Sequence, residues 1–203
     1  MAQTDTLYLD NNHEVLRFSD LVVGEGVQAN QFCMRHGDRA ALIDPGGDLT
    51  YTPLTIALSR RISLDGLDYI LASHQDPDII ASLPRWLMHT HSQVVVSRLW
   101  SRFLPHLASS YVTGKMGEQL QSRIQGVADE GKVLPFADTE IWVLPAHFLH
   151  SVGNFSFYDP LSGILFSGDI GASLGGEEGQ VENFADHLHS MTGFHRRYMA
   201  SNR

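Results

Sequence analysis

Three short segments of this 203-residue chain carry side chains able to bind a transition metal. The first, Ser73-His74-Gln75-Asp76-Pro77-Asp78, places one imidazole and two carboxylates at alternate positions directly after an apolar run. A loop can turn all three toward one point, and borderline nitrogen combined with hard oxygen donors suits Fe, Mn or Zn better than Ca or a soft metal. The same residues also read as a plain turn, with Asp and Pro capping a helix that begins near Ile79. The second segment is Ser167-Gly168-Asp169, an aspartate sent to a strand edge beside a glycine, where it could bridge two cations or simply end the strand. The third is His150-Ser151-Val152-Gly153-Asn154 in a loop between two strands. His147, just upstream, competes with His150 for the same role, and local pattern alone does not separate them.

The elements that must position these residues are legible as short β-type runs in the first third: Leu7 to Leu9, Val15 to Phe18, Gln31 to Met34 and Ala40 to Ile43, the last closed by Asp44-Pro45-Gly46-Gly47. They predict a meandering antiparallel sheet. From Thr52 to Ile62 the apolar spacing becomes helical, and the strand Leu67 to Ala72 then runs straight into Ser73-His74. Ile79 to His89 has helical periodicity and Gln93 to Ser97 reads as a buried strand. Residues 99–128 predict one or two helices with a break at Gly114 to Gly117, followed by strands at Ile141 to Leu144, Asn154 to Tyr158 and Gly163 to Phe166. Two β-rich blocks, each with helices, predict an α/β sandwich of two packed sheets with helices outside.

Composition narrows the function classes. With 43% hydrophobic and 18% charged residues the chain is ordinary globular material, sized for a single domain over 1–203. Net charge is -9 and the 14 Lys and Arg residues are scattered, so no basic stripe is offered to nucleic acid. No basic n-region opens the chain and no run approaches the roughly 20 apolar residues of a membrane span, so neither membrane insertion nor export is expected, and the expected location is cytoplasmic. The one cysteine, Cys33, sits in an apolar run and reads as a buried, inert thiol. Of the 11 histidines, His13, His36, His89, His91 and His106 lie on polar segments where the surface is the default. There is no phosphate-cradling glycine loop.

In their order and setting the three metal-type segments resemble the metallo-β-lactamase superfamily, whose strand ends supply an H-x-[HE]-x-D-H cluster, a later histidine in an H-T-P-G-S type loop and a bridging aspartate in a G-D turn. The likeness is closest to the di-iron domain of flavodiiron proteins, and closer still to stand-alone oxygen-binding di-iron proteins without the flavodoxin module. It covers nearly the whole chain and implies the αββα sandwich of that superfamily. By resemblance, His74 and Asp76 bind one iron, Asp76 standing where the family usually has Glu. Asp78 binds the second and Asp169 bridges them. His150 rather than His147 completes the first iron, because His150-Ser-Val-Gly matches the H-T-P-G loop and aligns without gaps through Tyr158, Pro160 and Leu165-Phe166-Ser167 to Asp169.

Two departures from the pattern matter. Ile79 replaces the second histidine of the first cluster, a ligand that hydrolytic members with dinuclear zinc normally use. The sequence also ends at Arg203 within an apparent helix, with Phe194, Tyr198 and Met199 on one side and without the strand and His-Gly turn that give the family its last ligand. His187, His189 and His195 sit in helix- or lid-like sequence and do not substitute for it. The expectation is a C-terminally truncated domain with an incomplete second metal position. The resemblance implies two Fe ions, with Zn or Mn as substitutes, no FMN site in the chain, and O2 or NO as ligand. Electrons would come from a redox or signalling protein partner, since neither a flavodoxin module nor a cysteine pattern for an electron carrier is present. Binding or sensing is favoured over self-sufficient reduction, a homodimer follows from the head-to-tail pairing of flavodiiron relatives, and a dinuclear zinc hydrolase is the alternative.

Overall fold

The runs read as strands in the first third pair in sequence order: β1 (Gln3–Asp10), β2 (His13–Ser19), β3 (Gln31–His36) and β4 (Arg39–Ile43) form the predicted antiparallel meander. The sheet then changes character. Helix α1 (Asp48–Ser59) crosses back so that β5 (Leu67–Leu71) lies parallel to β4, and β6 (Gln93–Ser97) and β7 (Ile124–Val127) continue in parallel to give seven strands in the order β1-β2-β3-β4-β5-β6-β7. In this computed structural model, residues 2–108, 114–116, 119–173 and 179–198 are described. A second, four-stranded antiparallel sheet is built from β8 (Lys132–Phe136), β9 (Thr139–Pro145), β10 (Phe155–Asp159) and β11 (Ile164–Phe166) in the order β11-β10-β9-β8.

Because the central strands of the first sheet are parallel, both of its faces are covered and its strands read as continuous apolar runs. One face packs Leu42, Ile70, Val94 and Val96 against Leu54 and Leu58 of α1 and Trp86 of α3 (Leu83–His89). The other face packs Ile43, Leu71 and Val95 against Phe155, Phe157, Ile141 and Val143 of the second sheet. The expected sandwich of two sheets with helices outside is the architecture found. No described helix is long and apolar enough to cross a membrane.

Three expectations are corrected. Ile79 to His89 is not one helix: α2 (Pro77–Ile80) stops, and α3 starts after Ser82. The Ser82 N–H and hydroxyl both donate to the Gly46 carbonyl, and Pro84 can donate no helical hydrogen bond, so the backbone turns toward the glycine loop. The described part of residues 99–128 departs from the expectation of one or two helices with a break at Gly114 to Gly117. It contains the single turn α4 (Arg98–Ser101), a 3-10 turn at Leu104–Leu107, helical residues at 114–116 where the break was expected, a helical turn at Gln119–Ser122 and the unanticipated strand β7, with 109–113 and 117–118, including Gly117, outside the described residues. Strands β7 and β8 both lie at sheet edges, where Gly126 and Pro135 are tolerated and the alternating signal is weak.

The third correction concerns His13 and His36, expected at the surface. His13 is buried, because β2 is covered by the second sheet. Its Nε2 lies 2.7 Å from Asp159 Oδ2 and its Nδ1 3.2 Å from Nδ1 of His36, whose Nε2 lies 2.7 Å from Asp138 Oδ1. This row of four side chains ties the two sheets at one end. Burial pushes the Asp159 carboxyl up, but hydrogen bonds from His13, Ser162 and the Leu161 N–H outweigh it and hold the group below its ordinary value. A carboxylate with a depressed folded value contributes stability that is full above its unfolded value, near 3.8, and is lost as pH falls through the folded one. Asp159→Asn should cost about 1–3 kcal/mol in urea unfolding at neutral pH, with the difference from wild type shrinking in acid below the ordinary carboxylate value.

Candidate metal centre

The carboxyl ends of parallel strands lie at one edge of a sheet, so β4 and β5 deliver Asp44 and Ser73-His74 side by side. The Asp44 N–H bonds the Leu71 carbonyl at 2.8 Å, and its carboxylate accepts from the Ser73 N–H at 2.8 Å and the Ser73 hydroxyl at 2.9 Å. Ser73 Oγ is also 2.8 Å from His74 Nδ1. With the hydroxyl proton given to Asp44, that contact is met by an Nδ1–H donated to Ser73. The tautomer of His74 is therefore fixed with the lone pair on Nε2, the orientation a metal ligand requires.

Nε2 of His74 is fully buried and has no hydrogen-bond partner. It faces Asp76 Oδ2 at 3.6 Å and Asp169 Oδ2 at 3.7 Å, and His150 Nε2 stands 3.7 Å from each of the same two oxygens. Donor atoms of all four residues lie within 4.8 Å of one another. These separations are too long for good hydrogen bonds. They are close to the spacing of ligand atoms around a shared cation, roughly 3.4 Å for tetrahedral bonds of about 2.1 Å. An orphaned imidazole nitrogen amid two carboxylates and a second imidazole fits a divalent metal of the Fe, Mn or Zn type.

Asp76 is the N-cap residue of α2, yet its side chain makes no capping hydrogen bond. It turns instead to the two imidazoles, and His150 first, then His74, hold its carboxyl far below the ordinary range. Burial lowers the affinity of His74 for a proton, but the surrounding Asp76, Asp44 and Asp169 overturn this and leave its pKa raised. Burial raises Asp44 to about 6, partly offset by His74 and by the Ser73 hydrogen bonds.

Asp169 reaches the site through a tight approach. Gly168 has φ +61°, and a β-carbon there would stand 2.7 Å from Ser73 Oγ, so only glycine lets the β11 turn close on β5. The His150 loop is joined to the same point, since the Phe155 N–H donates to the Ser73 carbonyl at 2.9 Å and the Ser151 hydroxyl to Gln75.

Of the five residues expected as ligands, His74, Asp76, His150 and Asp169 converge. Asp78 stays outside that group, half-buried beside it, with its carboxyl raised first by burial and further by Asp169 and Asp76. His147 is turned away, its Nε2 2.9 Å from the Asp129 carbonyl and its ring edge-on to Phe155. Ile79 is buried where the family pattern has a second histidine. Sequence reasoning passed over Asp44 and Ser73, read only as a turn and a strand end. The signal was an aspartate closing the strand that pairs with the one delivering His74. It also set aside His195, whose ring lies 6.4 Å from that of His150 and edge-on to it. Burial, then His150, depresses the pKa of His195, with Asp169 opposing.

A family model described as "ODP family beta lactamase" matches residues 27–203. Among solved structures, the chain is similar to one described as the peroxy diiron species of chemotaxis sensor ODP, at 36% identity, 98% coverage of this chain, 77% of that chain and a TM-score of 0.81. It is similar to the apo state of chemotaxis sensor ODP from T. denticola at 35% identity, covering 100% of this chain and 78% of that one, with a TM-score of 0.82. A flavoprotein from Thermotoga maritima shares the fold at 21% identity and a TM-score of 0.73, with 98% of this chain and 50% of that chain covered. Comparison with curated proteins gives no match. The family match over most of the sequence, together with a solved relative above one-third identity, shows that the chain belongs to the ODP family of the metallo-β-lactamase fold.

Proposed function

We propose that this chain is a non-haem di-iron protein that binds O2 as a sensor, with any electrons it uses supplied by an external partner. The observation that carries the reading is the buried His74 Nε2, without a hydrogen-bond partner and surrounded at non-bonding distance by Asp76, Asp169 and His150. The likeness to a chemotaxis sensor described as a peroxy diiron species supports iron and O2 over other metals and ligands. A dinuclear zinc hydrolase gains no support, and Ile79 withholds the imidazole such a centre would use.

In this reading His74, Asp76 and His150 hold one iron, Asp169 bridges, and Asp78 serves the second position. Iron supplies a redox-active cation with coordination positions open to O2 or NO. The protein's residues do the rest. The Asp44-Ser73 pair holds the His74 ring so that it presents a lone pair. Asp76 remains anionic across the working range, and the carboxylate-rich set accommodates the added positive charge of the ferric state. Ile79 is buried in the apolar layer between helices and sheet and adds no donor beside Asp78.

Anaerobically purified protein should contain iron near a ratio of roughly 2:1 and develop a new visible absorption when O2 is admitted. Zinc with no spectral change, or a chain that takes up no metal, would overturn the reading. His150→Ala and Asp169→Ala should each cut iron content sharply, whereas His147→Ala should leave it at the wild-type level; equal losses in all three would reassign the ligand. Metal uptake should also weaken in acid: His74 must be deprotonated to ligate, and because its value is raised above 6.5, competition from protons begins above that pH and grows as pH falls. Titrating metal binding across this range by competition with a chelator tests the sign.

A further inference from the structure

The turn that presents Asp169 continues through Ile170 to Gly171, which has φ +93°. Both polar groups of Gly171 are taken by histidines from one helix, Phe184–Tyr198. The Gly171 N–H donates to His195 Nε2 at 2.8 Å, and the Gly171 carbonyl lies 2.6 Å from His187 Nε2. The two rings must therefore be in opposite states at Nε2: His195 accepts there, so its neutral ring carries the proton on Nδ1, while His187 donates from Nε2. On a helix whose described residues are mostly exposed, His195 is buried at 8%, and its ring packs near His150. The contact reaches the metal centre from two sides, through the backbone two residues after Asp169 and through the ring beside His150.

We propose that His187 and His195 clasp the Gly171 peptide as positioning residues for Asp169, so that docking of the Phe184–Tyr198 helix and metal loading form one coupled equilibrium. The inference rests on the metal-centre reading above. The physical argument is that a bridging carboxylate contributes affinity only if its turn is held. Here the turn's own hydrogen bonds are local: the Ile170 N–H donates to the Ser167 carbonyl, the Ser167 hydroxyl to the Ile170 carbonyl and the Ala172 N–H to the Asp169 carbonyl. The bonds at Gly171 tie it instead to a separate element, the helix, beyond the end of β11 at Phe166. By linkage, whatever factor the docked helix adds to metal affinity, the bound metal returns to helix docking. The helix is thereby an element able to carry the state of the centre to the surface.

The test compares wild type with His195→Leu, which removes the acceptor but keeps an apolar side chain, and His195→Gln, whose amide oxygen can accept the Gly171 N–H. Anaerobic Fe(II) binding and Zn(II) binding, the latter a redox-silent probe, are measured by competition with a chelator. Hydrogen exchange over residues 169–173 and 184–198 is followed with and without metal. Loss of an outer-shell partner typically weakens metal binding about 10-fold or more. His195→Leu should show that loss for both ions, His195→Gln should recover most of it, and metal should slow exchange in the helix of wild type but not of His195→Leu. Should His195→Leu fail to fold by circular dichroism, His187→Leu carries the same comparison. Wild-type affinity in the leucine variant, or helix exchange indifferent to metal in wild type, overturns the clasp while leaving the metal centre intact. A wild-type chain that binds neither ion overturns both.

Discussion

The hydrogen bonds between Asp44 and Ser73 are the contact on which the centre depends. Asp44 ends one parallel strand and Ser73 follows the next, so their pairing continues the β4–β5 ladder beyond its last residues. Every other piece of the site is then fitted around Ser73. Its hydroxyl orients His74, its carbonyl anchors the start of β10 behind the His150 loop, and its side chain leaves room only for glycine at 168, just before Asp169. Segments from both sheets that bear the candidate ligands meet at one residue that is not itself among them. Replacing its side chain would take the hydroxyl from both Asp44 and His74 and change the fit against Gly168, leaving the buried Asp44 carboxylate with the backbone N–H of residue 73 and one partner fewer.

That arrangement has an electrostatic cost. Asp44, Asp76, Asp78 and Asp169 crowd two imidazoles, and the strain is visible in opposite directions at neighbouring groups. Asp76 is pulled down by the histidines, whereas Asp44 and Asp78 are pushed up by burial and by the other carboxylates. A multivalent cation placed among these donors relieves the repulsion and meets the unsatisfied His74 nitrogen together, which makes metal binding and local order parts of one free energy. The acidic surplus is thus a property of the site and not only of the overall charge of -9.

The fold isolates this edge from the rest of the molecule. The two apolar layers, one between helices and sheet and one between sheets, set the distance between strand ends, while the His13–Asp159 and His36–Asp138 pairs join the sheets by polar contacts. Rigid strands thus carry short loops, and the Phe184–Tyr198 helix, attached through Gly171, is mostly exposed along its described residues. In general such exposed segments are the ones whose position a ligand can shift.

The alternation of His74, Asp76 and Asp78 after an apolar strand, the His150 loop and the Gly168-Asp169 turn were all legible in the linear chain, as were both β-rich blocks. Such features are local: hydrophobic period and turn chemistry act over a few residues. Edge strands β7 and β8, the split of α2 from α3 and the burial of His13 were not legible, because each is imposed by a partner distant in sequence, the Gly46 carbonyl for Ser82 and Asp159 for His13. For the same reason the sequence could name His150 over His147 only by likeness to a family, while the tertiary structure separates them by what each ring faces: the carboxylates of Asp76 and Asp169 for one, the Asp129 backbone for the other. Donor types were determined by the sequence alone; which donors share a centre, and which tautomer His74 presents, was decided by parallel strand pairing that sets Asp44 against Ser73.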